Sequence, residues 1–252
     1  MRPLARTAAA ALCTMTALAL TAACGTLFDD ERNAAPFARL TGPEVVNKAL
    51  AATRGAKSVR MTVETTSPEG PVEAYVATDV RGECTVTLSL GAAGTLELVR
   101  TGGTVYTRSD AAMLRTAASP GGPRGNGSTA AGIEKLTGRW VKAPGGDRHT
   151  EFALRYCDRE TLLGRLAPRS ATARKGRATT PGPDATTDAP ALTVSGRANG
   201  GTWTASIATE GRPYLLRAHL TDGARGDGRP LTVEFSGFNK PFPVRKPKIS
   251  PS

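Results

Sequence analysis

Apolar residues in the first half of the chain fall on alternate positions. Val59, Met61 and Val63 are followed, across Ser67-Pro68-Glu69-Gly70, by Val72, Ala74 and Val76, and then by Cys84, Val86, Leu88 and Leu90 set against Glu83, Thr85, Thr87 and Ser89. A period of two marks strands with one apolar and one wet face. Thr95 to Arg100 and Thr104 to Arg108 continue the series, separated only by short glycine turns. Such close spacing predicts antiparallel hairpins in succession, a meander. The same rhythm returns at Leu192 to Ser195, at Trp203, Ala205 and Ile207, in GRPYLLRAHL, and in LTVEFSGF.

Helical spacing is sparser. Thr41 stands three places before Glu44, the spacing of a capping box, and Val45, Val46, Ala49, Leu50 and Ala52 follow on one face, predicting a helix over 43–54 that ends near Gly55. Shorter helices are predicted at 111–116, 131–136 and 159–166, the last capped by Asp158. A short strand is expected in GRWVKAP. Two stretches, 117–131 and 167–191, lack any period and are rich in Gly, Pro, Thr or Arg, so they read as low-complexity insertions too polar to bury a core. The fold class expected is α+β: one strongly curved antiparallel sheet, a half-open barrel, with a few helices on its concave face. These helices are few for so much apolar sheet, which predicts an apolar cavity between the layers; a sheet curled onto itself and packed solid is the alternative.

The N-terminus changes the picture. Arg2 and Arg6 precede a run without charge from Thr7 to Ala23, the form of a secretory signal sequence and too dilute in apolar residues for a membrane span. Leu20-Thr21-Ala22-Ala23-Cys24 is similar to a lipobox, in which the cysteine thiol is alkylated by diacylglycerol and becomes the new N-terminus; an ordinary cleavage after small residues is the alternative. The expected organisation is a signal peptide over 1–23, a lipidated stalk over 24–40, a single lipid-binding-type domain over 41–246 and a tail over 247–252. Localisation follows as the extracytoplasmic face of the cell membrane, with membrane lipid as covalent partner through Cys24.

Of 252 residues, 33 are Lys or Arg and 22 Asp or Glu, a formal charge of +11 that becomes +9 once Arg2 and Arg6 leave with the signal. A positive exported chain suits an anionic lipid or cell-wall surface, although arginine in apparent loops such as 169–177 accounts for much of the excess. Export disfavours nucleic acid as a partner. Cys13 leaves with the signal and Cys24 is taken by the anchor, so Cys84 and Cys157 remain as a pair in an oxidising compartment; a disulfide is expected, with two buried thiols as the alternative.

Catalytic constellations are missing. No HExxH, GxSxG or P-loop occurs, no CxxC offers a metal site, and Asp29-Asp30 lies in the stalk. His149 reads as a solvated loop residue and His219 as a strand surface residue. Neither an enzyme nor a cofactor nor a metal is expected. Arg225-Gly226-Asp227 reads as a hairpin turn, and the sequon at Asn126 as a chance match.

AKSVRMTVE, DVRGECTVTLSLGAAGTLELVRTGGTVYTR, LTGRWVKAP and GRPYLLRAHL…LTVEFSGFNKPFPV stand in the order and spacing of actinobacterial lipoproteins, and with Cys24 the chain resembles the LppX/LprG family, whose fold is LolA-like. The resemblance implies a half-open barrel around helices with an internal pocket for lipid or glycolipid. Alternation nominates Val59, Met61, Val63, Val86, Leu88, Leu90, Trp203, Ile207, Val233 and Phe235 for its lining, with Tyr106 and Trp140 at its mouth. The expected function is a membrane-anchored protein that binds lipid acyl chains, as carrier or chaperone. A cell-surface module of the same fold that binds an envelope protein, without lipid cargo, is the alternative.

Overall fold

The computed structural model describes residues 37–68, 70–119, 130–167, 173–179, 190–198, 201–221 and 229–249, excepting the side chains of 177–179 and 198. The signal segment, Cys24, the stalk up to residue 36, Asn126, Arg225-Gly226-Asp227 and most of both low-complexity stretches lie outside the described residues. From Arg39 onward the chain is one compact unit.

Eleven strands form one sheet among the described residues. In chain order they are β1 (Ser58–Ser67), β2 (Gly70–Asp79), β3 (Cys84–Ser89), β4 (Thr95–Thr101), β5 (Thr104–Ser109), β6 (Val141–Lys142), β7 (Ala173–Thr179), β8 (Ala191–Ala198), β9 (Gly201–Ala208), β10 (Leu215–Leu220) and β11 (Leu231–Ser236). Their spatial order, β6-β5-β4-β3-β2-β1-β11-β10-β9-β8-β7, is two antiparallel meanders joined where the first strand pairs with the last. The sheet does not close: β6 and β7 are its edges.

Register explains the alternation. Val63 stands opposite Ala74 on one side and Val233 on the other, and the row continues to Leu88 and Leu96 and to Ala218, Ala205 and Val194. The strictly alternating apolar positions therefore fall on one face, the inner face. Helix α1 (Gly42–Arg54) covers the β7–β10 part of it, and α4 (Arg148–Cys157) covers β2–β4; α5 (Arg159–Leu166) packs between these two helices. Helices α2 (Ala111–Ala118) and α3 (Ala130–Leu136) fill the connection between β5 and β6.

The capping box of α1 forms as its spacing predicts: the Glu44 amide donates to Thr41 Oγ1, and the Thr41 amide donates to Glu44 Oε2 at 2.7 Å. These bonds, the backbone bond from Thr41 first, hold the Glu44 carboxyl below its ordinary pKa. The buried stripe is Val45, Val46, Ala49, Leu50 and Thr53, so Thr53 takes the place expected for Ala52. Its hydroxyl accepts the Leu215 amide at 3.0 Å, where the β9–β10 register shifts. Beside it, the half-buried guanidinium of Arg159 donates to the Ala56 and Arg54 carbonyl oxygens at 2.8 and 3.0 Å. It thus ties α5 to the C-terminal end of α1, and burial lowers its pKa.

Two elements differ from expectation. Residues 148–157, read as loop at His149, are helical: Asp147 caps α4 by accepting the Thr150 amide at 3.0 Å, and Thr150, Ala153, Tyr156 and Cys157 form its buried face. Part of the presumed insertion, Ala173–Thr179, is a strand, because β8 offers an open ladder to any backbone that can lie beside it.

Candidate functional site

All ten residues nominated for a pocket lining are buried, none more than 7% exposed. Register places Val63, Val86, Leu88 and Val233 with Met61 and Phe235 on the inner face. Cys84 belongs to the same face and bonds Cys157 at the end of α4, with a Cα–Cα distance of 5.8 Å. The bridge pins α4 over the β2–β4 region, which carries Val86 and Leu88 of these residues.

Trp203 differs from the other nine. It lines a cavity of about 930 Å³ at the β7–β9 end of the sheet, together with Pro43 from the first turn of α1, Ala173 and Arg174 of β7, and Gly196 and Arg197 of β8. Two close approaches shape this cavity. A β-carbon at Gly42 would stand 2.6 Å from the Ala173 carbonyl oxygen, so the absent side chain lets α1 come down onto β7. Gly196 is the cross-strand partner of Trp203, and the indole ring lies over it. Trp203 is 6% exposed, and its Nε1 is the buried side-chain nitrogen or oxygen that lacks a hydrogen-bond partner among the described residues.

The lining divides by strand parity. Ala173, Gly196 and Trp203 stand in one row across the three strands, on the apolar inner face. Arg174 pairs with Ser195, Ser195 with Thr204, and Arg197 with Thr202, so these residues have the opposite parity. The cavity thus takes in the ends of the strands, with apolar groups from one parity and hydroxyls and guanidiniums from the other. Smaller clefts of about 250 and 360 Å³ lie beside Arg108 and beside Pro71.

The two residues nominated for a mouth lie elsewhere. Tyr106 stands in the row Arg60, Ala77, Thr85, Val99, which is the outer face. It is nonetheless 5% exposed, and Lys246 of the C-terminal segment sits 5.9 Å from its ring centroid. That segment is fastened where the Asn239 amide donates to the Ser58 carbonyl oxygen and Ser58 Oγ donates to that of Lys240. Trp140 carries the Arg108 guanidinium 5.0 Å from its ring centroid, and Arg108 pairs with Glu97 on the same outer face. Neither aromatic adjoins the β7–β9 cavity. Sequence reasoning also missed Arg174 and Gly196; the apolar-polar pairing of Ala191 to Gly196 with Thr202 to Ile207 was the available signal for Gly196, but nothing in ARKGRAT signals a strand.

His219 lies on β10 with its Nδ1 3.0 Å from Thr232 Oγ1. Among the described residues no group of three potential metal ligands occurs, and no helix is long and apolar enough to cross a membrane.

No protein-family model matches the chain, and no curated protein sequence is similar to it. Its structure is similar to that of the Mycobacterium tuberculosis lipoprotein LppX, with 15% identity and a TM-score of 0.45, over 81% of this chain and 98% of that one. It is also similar to LprF from Mycobacterium bovis, with 14% identity and a TM-score of 0.45, over 82% of this chain and 96% of that one.

Proposed function

We propose that this chain is an exported envelope protein, tethered through a diacylglycerol on Cys24, that shelters the hydrocarbon of a lipid or glycolipid. The observation that carries this reading is the cavity of about 930 Å³, in which Pro43, Ala173, Gly196 and Trp203 form the apolar part of a lining that Thr41, Arg174, Ser195, Arg197, Thr202 and Thr204 complete. Its volume falls in the range of sites that enclose small organic ligands. Against the apolar part of that lining a hydrocarbon chain gains by leaving water at about 0.8 kcal/mol per buried CH₂. The open sheet supports the same reading, because an edge that no strand among the described residues closes leaves a way in. The lipobox-like LTAAC supplies the reason for such a protein to stand at a membrane.

The test is purification of the mature protein from native membranes, followed by mass spectrometry of what co-elutes. Lipid at about one molecule per chain is expected; a clean protein with a partner polypeptide in its place would replace this reading with that of an interaction module. Cys24→Ser is expected to release the protein from membranes, and retention would refute the tether.

A further inference from the structure

Resting on the lipid-binding reading of the same cavity, we infer that the ligand is an amphiphile with an anionic headgroup, a phosphate or carboxylate, held by Arg174 and Arg197. Both arginines line the cavity, and no carboxylate does among the described residues. They sit on adjacent strands with equal parity: Arg174 faces Ser195, two residues before Arg197. Diagonal neighbours of this kind are roughly 7–8 Å apart at the backbone, within reach of one another for long side chains. Both are exposed, and neither takes part in an ion pair among the described residues. Two cations on adjacent strands repel each other unless an anion lies between them, and the planar guanidinium matches two oxygens of a phosphate or carboxylate at once.

Ser195, Thr202 and Thr204, which share the parity of the two arginines, line the same cavity. The apolar row on the other parity, Ala173, Gly196 and Trp203, takes the start of the chain. The positive end of α1 is not needed for this, since Glu44 already occupies it through its bonds to Thr41.

The probes are dodecyl phosphate, monododecanoylglycerol and inorganic phosphate, titrated into the delipidated mature protein by calorimetry at low salt. Dodecyl phosphate is expected to bind at least tenfold tighter than the neutral glyceride. The double variant Arg174→Gln/Arg197→Gln is expected to abolish that preference while leaving the glyceride unchanged. Arg148→Gln/Arg155→Gln, which removes the same charge from the exposed side of α4, is expected to keep it. Equal affinity for the two amphiphiles, or an undiminished preference in the first variant, overturns the headgroup assignment and leaves the lipid reading standing. Inorganic phosphate binding as tightly as dodecyl phosphate shows an anion site without a chain site and overturns the lipid reading. Absence of binding by all three overturns both.

Discussion

Trp203 lies so close over Gly196 that a β-carbon built at position 196 would stand 2.7 Å from the indole Cζ2 and 2.8 Å from Nε1. The ring therefore covers backbone that a side chain would otherwise cover, and the wall of the cavity stays flat. Gly196→Ala forces the indole to move. A loss of about 1–3 kcal/mol is expected from this overpacking, read by urea denaturation. In a Trp140→Phe background the emission of Trp203 is expected to shift to the red; unchanged emission and stability would refute the close contact.

Thr53 and Leu215 form a second, buried relationship, in which a helix side chain satisfies a strand amide. Thr53→Val keeps the volume and removes the acceptor, leaving the Leu215 N–H unpaired in the core. The expected cost is about 1–3 kcal/mol, whereas Thr53→Ser is expected to retain most of the stability. Equal denaturation midpoints for the two variants would show that the bond contributes nothing.

Asp158 closes α4 and opens α5, accepting from both the amide and the hydroxyl of Thr161. The Thr161 side-chain hydrogen bond, then the backbone one, depresses its pKa in the folded state. A carboxyl with a depressed folded pKa contributes stability above its unfolded value of about 3.9 and loses it as pH falls through the folded value. The denaturation midpoint is therefore expected to fall below about pH 4. Asp158→Asn, which still caps, is expected to show a shallower acid decline; identical pH profiles would remove Asp158 from the account.

Reduction of the Cys84–Cys157 bond frees a loop that spans 73 residues. The chain-entropy relation gives about 4 kcal/mol for a closure of that length. Denaturation with and without reductant is expected to differ by that order, and Cys84→Ala/Cys157→Ala is expected to match the reduced protein.

The sequence revealed the sheet where burial on one face forces alternation. Val59 to Val63, Val72 to Val76 and Cys84 to Ser89 are strands for that reason, and the Thr41–Glu44 spacing announced α1 before any contact was known. Helix α4 was hidden because its buried face is Thr150, Ala153, Tyr156 and Cys157, small or half-polar residues that do not stand out as a stripe. Strand β7 was hidden for a different reason: its ladder to β8 is made by backbone, which ARKGRAT supplies as well as any sequence. The cavity wall was legible only in part: Trp203 stands in a recognisable strand, Arg197 lies beyond the Leu192–Ser195 alternation, and Arg174 becomes meaningful only once β7 exists. The surroundings of Tyr106 were not legible because alternation is imperfect at Thr104 to Tyr106; Lys246 of the C-terminal segment reaches its ring on the outer face.

The bond between Cys84 and Cys157 also turns the intervening chain into a ring. A protease that cuts between residues 85 and 156 would open that ring without setting a fragment free, so both pieces would migrate together until thiol is added. A cut between β5 and β6 would leave strands β1 to β5 and the Pro43 wall of the cavity attached to the piece that carries β7 to β9.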